Sequence, residues 1–218
     1  TKRICELVLQ ALAAERDHRT VFTMVRFGNV LGSSGSVVPQ FQAQIAAGGP
    51  VTVTHREVTR FFMTIKEAAS LVIQAGALAR GGEVYLLDMG EPVRIVELAK
   101  MLISLSGLTL RDADNPQGDI EICEIGLRPG EKLYEELLID AQSMPTIHPK
   151  IFTAREEFVP WGQLQDELDA MRVAAGAGDR ERLRPILERL VAGYGAGARD
   201  NVMRPAKWSR GAPRAQGS

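Results

Sequence analysis

The sequence predicts an α/β fold with a mainly parallel sheet, and three observations carry that prediction. Segments with apolar residues at helical spacing alternate with short runs rich in β-branched residues. A Gly/Ser-rich loop follows the first of those runs, where open α/β sheets place their ligands. Finally, 218 residues that are 45% hydrophobic and 24% charged suffice for a substantial core.

Ile4, Leu7, Val8, Ala11 and Leu12 recur at helical spacing, so an amphipathic helix runs to about Ala14 and starts at or before the first residue. The opening Thr1-Lys2-Arg3 inside that helix suggests a piece of a longer protein. Val21 to Val25 reads as a strand leading through Arg26-Phe27-Gly28-Asn29-Val30 into the loop Leu31 to Ser36. Val37 to Ala47 reads as a helix stopped by Gly48-Gly49-Pro50, and Val51-Thr52-Val53 as a strand. Helix follows over Lys66 to Leu78, strand over Glu83 to Leu87, helix over Ile95 to Leu105 and strand over Ile120 to Glu124. A further helix is expected from about Glu131. Past residue 155 two accessory helices are expected, Gly162 to Ala174 and Asp179 to Leu190, and residues 194–218 have the composition of a disordered tail.

A net charge of -1 argues against a nucleic-acid surface, and no apolar run approaches the length that spans a bilayer. Cys5 and Cys123 fit neither a disulfide framework nor a metal site, which favours a reducing, cytoplasmic setting. His55 and His148 lack a visible nucleophile or metal partner, and Trp161 and Trp208 suggest packing and tail positions. No Gly-x-Gly-x-x-Gly follows a strand, so no dinucleotide-binding turn is expected within the chain.

Gly126-Leu127-Arg128-Pro129-Gly130-Glu131 is the most informative stretch. Pro129 biases Arg128 toward extended backbone and Gly130 permits a sharp turn, so the guanidinium is presented to an anion with the Glu131 carboxylate beside it. In Thr59-Arg60-Phe61-Phe62-Met63-Thr64 the aromatics would anchor the stem of Arg60. Read singly, the Arg128 motif is as well explained by a capped surface helix with a loose arginine, and Arg60 by a surface ion pair contributing ~0.2–1 kcal/mol. Read together, they match what a diphosphate needs: two forked cations. Lys2, judged alone, is a solvated lysine.

These motifs, with Val25 to Ser33, Val37-Val38-Pro39 and Leu87-Asp88-Met89-Gly90-Glu91-Pro92-Val93, resemble the C-terminal half of extended short-chain dehydrogenases/reductases acting on nucleotide sugars. The resemblance covers roughly residues 1–155, taken as the end of a Rossmann-like core plus a substrate-binding subdomain, without the N-terminal dinucleotide-binding half. More narrowly the chain resembles the CapD-like UDP-N-acetylglucosamine 4,6-dehydratases of polysaccharide biosynthesis. The resemblance implies that Lys2 binds the nicotinamide ribose and tunes a neighbouring acid/base group, and that the Phe27 backbone meets the nicotinamide amide. It implies that Asn29, Arg60 and Arg128 contact the sugar diphosphate, that Val37, Val38 and Thr52 contact the nucleoside, and that Glu131 contacts the uridine ribose. It also implies tightly bound NAD rather than NADP, held mainly by residues upstream, and a cycle of C4 oxidation, loss of water across C5 and C6, and return of the hydride to C6. A homo-oligomer, and in some members an N-terminal membrane segment, are further implications. A UDP-sugar 4-epimerase and a noncatalytic nucleotide-sugar-binding module are the competing expectations.

Overall fold

The computed structural model describes residues 2–15, 19–33, 35–135, 143–154, 156–192 and 194. The expected tail therefore lies, from residue 195 on, outside the described residues.

Two α/β layers and one helical cluster share the chain. The first layer is a four-stranded sheet. Strands β1 (Met24–Arg26) and β6 (Val84–Leu87) pair in parallel, and β6 continues antiparallel to β11 (Ile151–Ala154) and β10 (Ser143–Pro145). All four residues of β6 are buried, as in a strand covered on both faces. On one face α3 (Ile65–Leu78) sets Ala68, Leu71 and Ala75 against Tyr85, Leu87 and Ile151. On the other, Met24, Val84 and Ala154 meet Leu9 of α1 (Lys2–Ala14).

The second layer is the parallel sheet β3 (Val51–Val53), β9 (Ile120–Glu124) and β8 (Leu110–Arg111). Its cover is α2 (Val37–Ala46) and α4 (Ile95–Leu105), and Phe41, Ile45, Val51, Val53, Ile95, Ala99, Ile103 and Ile120 form its core. Two small ladders join the layers: β2 (Asn29–Val30) with β5 (Phe62–Met63) in parallel, and β4 (Thr59–Arg60) with β7 (Val93–Arg94) antiparallel.

The helical cluster consists of α1 with α5 (Trp161–Gly176) and α6 (Arg180–Leu190). Leu7 and Ala11 of α1 are buried against Leu164, Ile186 and Leu190.

Local chemistry explains why these elements start where they do. Thr64 and Glu67 form a capping box on α3: the Thr64 hydroxyl accepts from the Glu67 N–H at 3.2 Å, and the Thr64 N–H donates to Glu67 Oε2 at 3.0 Å. Asp179 caps α6 by accepting from the Arg182 N–H at 3.1 Å.

The predicted elements are present with shifts of a few residues at most, except one. The helix expected from Glu131 is absent over 131–135, and the rest of that stretch lies outside the described residues. Arg60 is the physical reason. Its guanidinium donates to the backbone oxygens of Lys132 at 2.9 Å and Leu133 at 3.3 Å, and the Leu133 oxygen also accepts from the Thr59 N–H at 3.2 Å. These bonds hold residues 132–133 against β4, away from helical backbone.

Candidate functional site

The candidate site lies where loops leave the C-terminal ends of β1 and β9 and meet the β4–β5 segment. It is the placement expected for ligands of open α/β sheets.

Residues 126–135, after β9, are built around a tight turn. The Glu131 N–H donates to the Arg128 oxygen at 2.9 Å, Pro129 occupies the second position, and Gly130 has φ 79°. That is the pattern of a type II turn, which requires glycine at its third position. Glu131 closes it from the other side, its Oε2 accepting from the Arg128 N–H at 3.1 Å. Its second oxygen, Oε1, accepts from the Thr54 hydroxyl at 2.9 Å and lies 3.5 Å from Arg60 Nη2. Glu131 is thus the hub that brings Arg60, Arg128 and Thr54 together. Arg60 is largely buried, and besides Lys132 and Leu133 it holds its neighbour Thr59's carbonyl at 2.8 Å. Arg128 is exposed.

At the end of β1 the backbone of Asn29 is locked to the β4–β5 segment, its N–H donating to the Phe61 oxygen at 2.9 Å. The Asn29 amide nitrogen donates to the same oxygen at 3.3 Å and lies 3.5 Å from Glu135 Oε2. Gly28 is pressed between these groups. A Cβ there would sit 3.0 Å from the Phe61 oxygen and 3.2 Å from Glu135 Oε2, closer than ordinary packing allows. Its N–H points to Met89 Sδ at 2.7 Å. Phe27 packs partly buried on the α3 side of the first sheet.

The remaining expected residues fall at two flanks. Val37 and Val38 form the first turn of α2, Val37 against the second core. The Ser36 hydroxyl just before them is buried without a hydrogen-bond partner among the described residues. Such a group is costly unless something else satisfies it. Thr52 is paired with Gln44, whose amide nitrogen donates to the Thr52 hydroxyl at 2.8 Å and whose oxygen accepts from the Thr52 N–H at 3.1 Å.

Lys2 opens α1 and is exposed. It stands next to an ion lattice that spacing could not foresee. Arg26 grips Glu6 through Nε–Oε1 at 2.7 Å and Glu156 through Nη2–Oε2 at 3.0 Å, while Arg3 pairs with Glu156 and with Glu6. This lattice clamps the first turns of α1, with Lys2, to the strand end that precedes Phe27. Burial pushes the Glu6 carboxyl up, but the hydrogen bonds and charges of Arg26 and Arg3 outweigh it and hold the group below its ordinary value.

Glu135, Thr54 and Gln44 were missed from sequence. Glu135 lies in the same motif as Glu131, but the bends at Leu133 and Tyr134 before it leave no local mark in the sequence. His55 and His148 accept from the N–H groups of Glu57 and Lys150 at 3.1 Å each, which makes them local turn fasteners. Cys5 and Cys123 are free thiols. Among the described residues no group of His, Cys, Asp and Glu could hold a metal ion, and no helix is long and apolar enough to cross a membrane.

Comparison with known proteins gives the chain its relatives. CapD of Staphylococcus aureus, a capsular polysaccharide biosynthesis protein, is 58% identical over 156 residues, 71% of this chain and 25% of its own. A UDP-glucose 4-epimerase of Rickettsia canadensis is 34% identical over 139 residues, 63% of this chain and 38% of the epimerase. The crystal structure of Pen from Bacillus thuringiensis superposes with a TM-score of 0.58 at 34% identity, over 71% of this chain and 46% of Pen. The chain thus spans between a quarter and a half of the length of these proteins. Its fold is a partial Rossmann-like fold of the extended short-chain dehydrogenase type. The sequence profile described as "Polysaccharide biosynthesis protein" matches residues 1–156, so the chain belongs to that family.

Proposed function

We propose that this chain is the substrate-binding portion of an NAD-dependent UDP-N-acetylglucosamine 4,6-dehydratase that serves surface polysaccharide synthesis. One observation carries the reading: Glu131 gathers Arg60 and the Arg128 turn beside the Asn29 loop, at the C-terminal ends of parallel strands. Two arginines at the mouth of a loop rich in backbone N–H groups suit a nucleoside diphosphate. Membership of a polysaccharide-biosynthesis family and likeness to a UDP-sugar epimerase support a nucleotide sugar as the ligand.

In this reading Arg128 and Arg60 offset the diphosphate charge, and Glu131 sets the pitch of the Arg128 turn and accepts from the uridine ribose. The buried Ser36 hydroxyl, with Val37, Val38 and Thr52, meets the nucleoside; the ligand would supply the partner that Ser36 lacks among the described residues. The residues suited to the cofactor are Lys2 and the Phe27 backbone, because the Arg3–Glu156–Arg26 lattice sets both on one frame. They would hold the nicotinamide end of NAD, which supplies a reversible hydride acceptor when bound. The Lys2 ammonium there favours the deprotonated form of a neighbouring acid/base group. A cytoplasmic, homo-oligomeric enzyme, in some relatives attached to a membrane segment, completes the proposal.

The test is mass spectrometry of UDP-N-acetylglucosamine incubated with the complete protein that carries this chain. Loss of one water from the sugar supports the dehydratase. An unchanged mass with altered sugar stereochemistry replaces it with a 4-epimerase, and tight binding without turnover replaces it with a noncatalytic module.

A further inference from the structure

We propose that Glu135 is a substrate-binding residue that, with Asn29, reads the sugar end of the nucleotide sugar. This rests on the nucleotide-sugar reading above and deepens it. Glu135 is only half-buried, yet its Oε2 is brought to 3.5 Å from the Asn29 amide nitrogen and would lie 3.2 Å from a Cβ on Gly28. Glu135, from the segment after β9, therefore sets a carboxylate beside the Asn29 amide, over backbone with little room for a side chain. A carboxylate offers acceptors only, and an amide offers one acceptor and two donors. Together they match vicinal sugar hydroxyls or a hydroxyl beside an acetamido group, each of which needs a donor and an acceptor answered at once.

The Glu135 carboxylate is unsuited to phosphate, so Asn29 stands where diphosphate and sugar meet. Glu135 alone would repel a diphosphate, whereas at the other end two arginines, Arg60 and Arg128, outweigh the single carboxylate of Glu131. The site thus has a polarity along its length, cationic at the 128–131 turn and acceptor-rich at Gly28, Asn29 and Glu135. The nucleotide sugar lies along it with the diphosphate at the arginines and the hexose under Glu135. Segment 131–135 makes this possible because it is not helical and bends at Leu133 and Tyr134: Glu131 serves the arginine end and Glu135, set against Asn29, serves the sugar end.

Isothermal titration of the complete protein with UDP and separately with UDP-N-acetylglucosamine tests the assignment, using the wild type, Glu135→Ala and Glu135→Gln. Loss of a charge-assisted contact should weaken UDP-N-acetylglucosamine about tenfold in Glu135→Ala while UDP affinity stays within about twofold. Glu135→Gln, nearly isosteric and safe for the fold, should recover part of that loss. Equal weakening of both ligands, or no change in either, overturns the sugar role and leaves the nucleotide-sugar reading standing. Failure of the wild type to bind either ligand overturns both.

Discussion

Two arginine–carboxylate clusters, barely separable by burial, do opposite things in this molecule. Arg26 and Arg60 have side chains 16% and 19% exposed. Arg26 is neutralised: two carboxylates, Glu6 and Glu156, each meet it with both oxygens, and Arg3 balances the remaining charge. Its own pKa is raised by the hydrogen bond to Glu6 first, against burial, and then by Glu156. Arg60 instead gives its N–H groups mainly to neutral carbonyls, and among the described residues Glu131, at 3.5 Å, is the one carboxylate in ion-pair range. A guanidinium bound to carbonyls is held in place with much of its positive field intact, which is what anion binding needs. Burial does not tell a structural arginine from a ligand-ready one; the charge of its partners does.

Mutations can break that contrast. Arg26→Ala leaves Glu6 and Glu156 facing each other with too little positive charge, and should cost about 3 kcal/mol of stability in urea unfolding of the complete protein. A variant as stable as the wild type would remove the lattice from the structural side. Arg128→Ala should do the reverse, costing about 2 kcal/mol of UDP-sugar affinity in titration with little change in the unfolding midpoint. If it unfolds the protein without touching affinity, the two clusters have been assigned the wrong way round.

Acid sharpens the distinction. Because the folded Glu6 carboxyl titrates below its ordinary value of 4.5, its contribution is fully present above that value. It is lost as pH falls through the depressed folded value. Acid unfolding should therefore begin below about pH 4.5 in the wild type. In Arg26→Met the lattice contribution to this acid sensitivity should shrink, measured by circular dichroism against pH. The smallest expected effect lies outside both clusters. Thr64→Ala removes a neutral helix cap and should cost about 1 kcal/mol with UDP-sugar affinity unchanged.

How far the sequence could be read obeys the same divide between local and distant causes. The helix over Ile95–Leu105 and the strand over Ile120–Glu124 were legible to the residue, because apolar spacing and flanking turns are local signals. The two-residue ladders Asn29–Val30 with Phe62–Met63 and Thr59–Arg60 with Val93–Arg94 were not, since their strands exist only by virtue of a partner some 30 residues away. The helix expected from about Glu131, absent over 131–135, is the sharpest instance, because Pro129 and Gly130 announce the turn but carry no information about the backbone just beyond it. Arg60 decides that backbone, through bonds to Lys132 and Leu133 that span 72 and 73 residues. Arg60, Arg128 and Glu131 were recognisable as motif residues. Glu156, which closes the other cluster 130 residues from Arg26, carried no signal in its neighbourhood.

The cover of α1 has a practical consequence for anyone dissecting this protein. The family's sequence profile ends at residue 156, yet Leu7 and Ala11 owe their burial to Leu164, Ile186 and Leu190 beyond that point. A truncation drawn at the edge of that profile would strip a greasy face from the helix that carries Lys2. The boundary of the profile and the boundary of folding are different lines on this chain. Only the second is safe to cut.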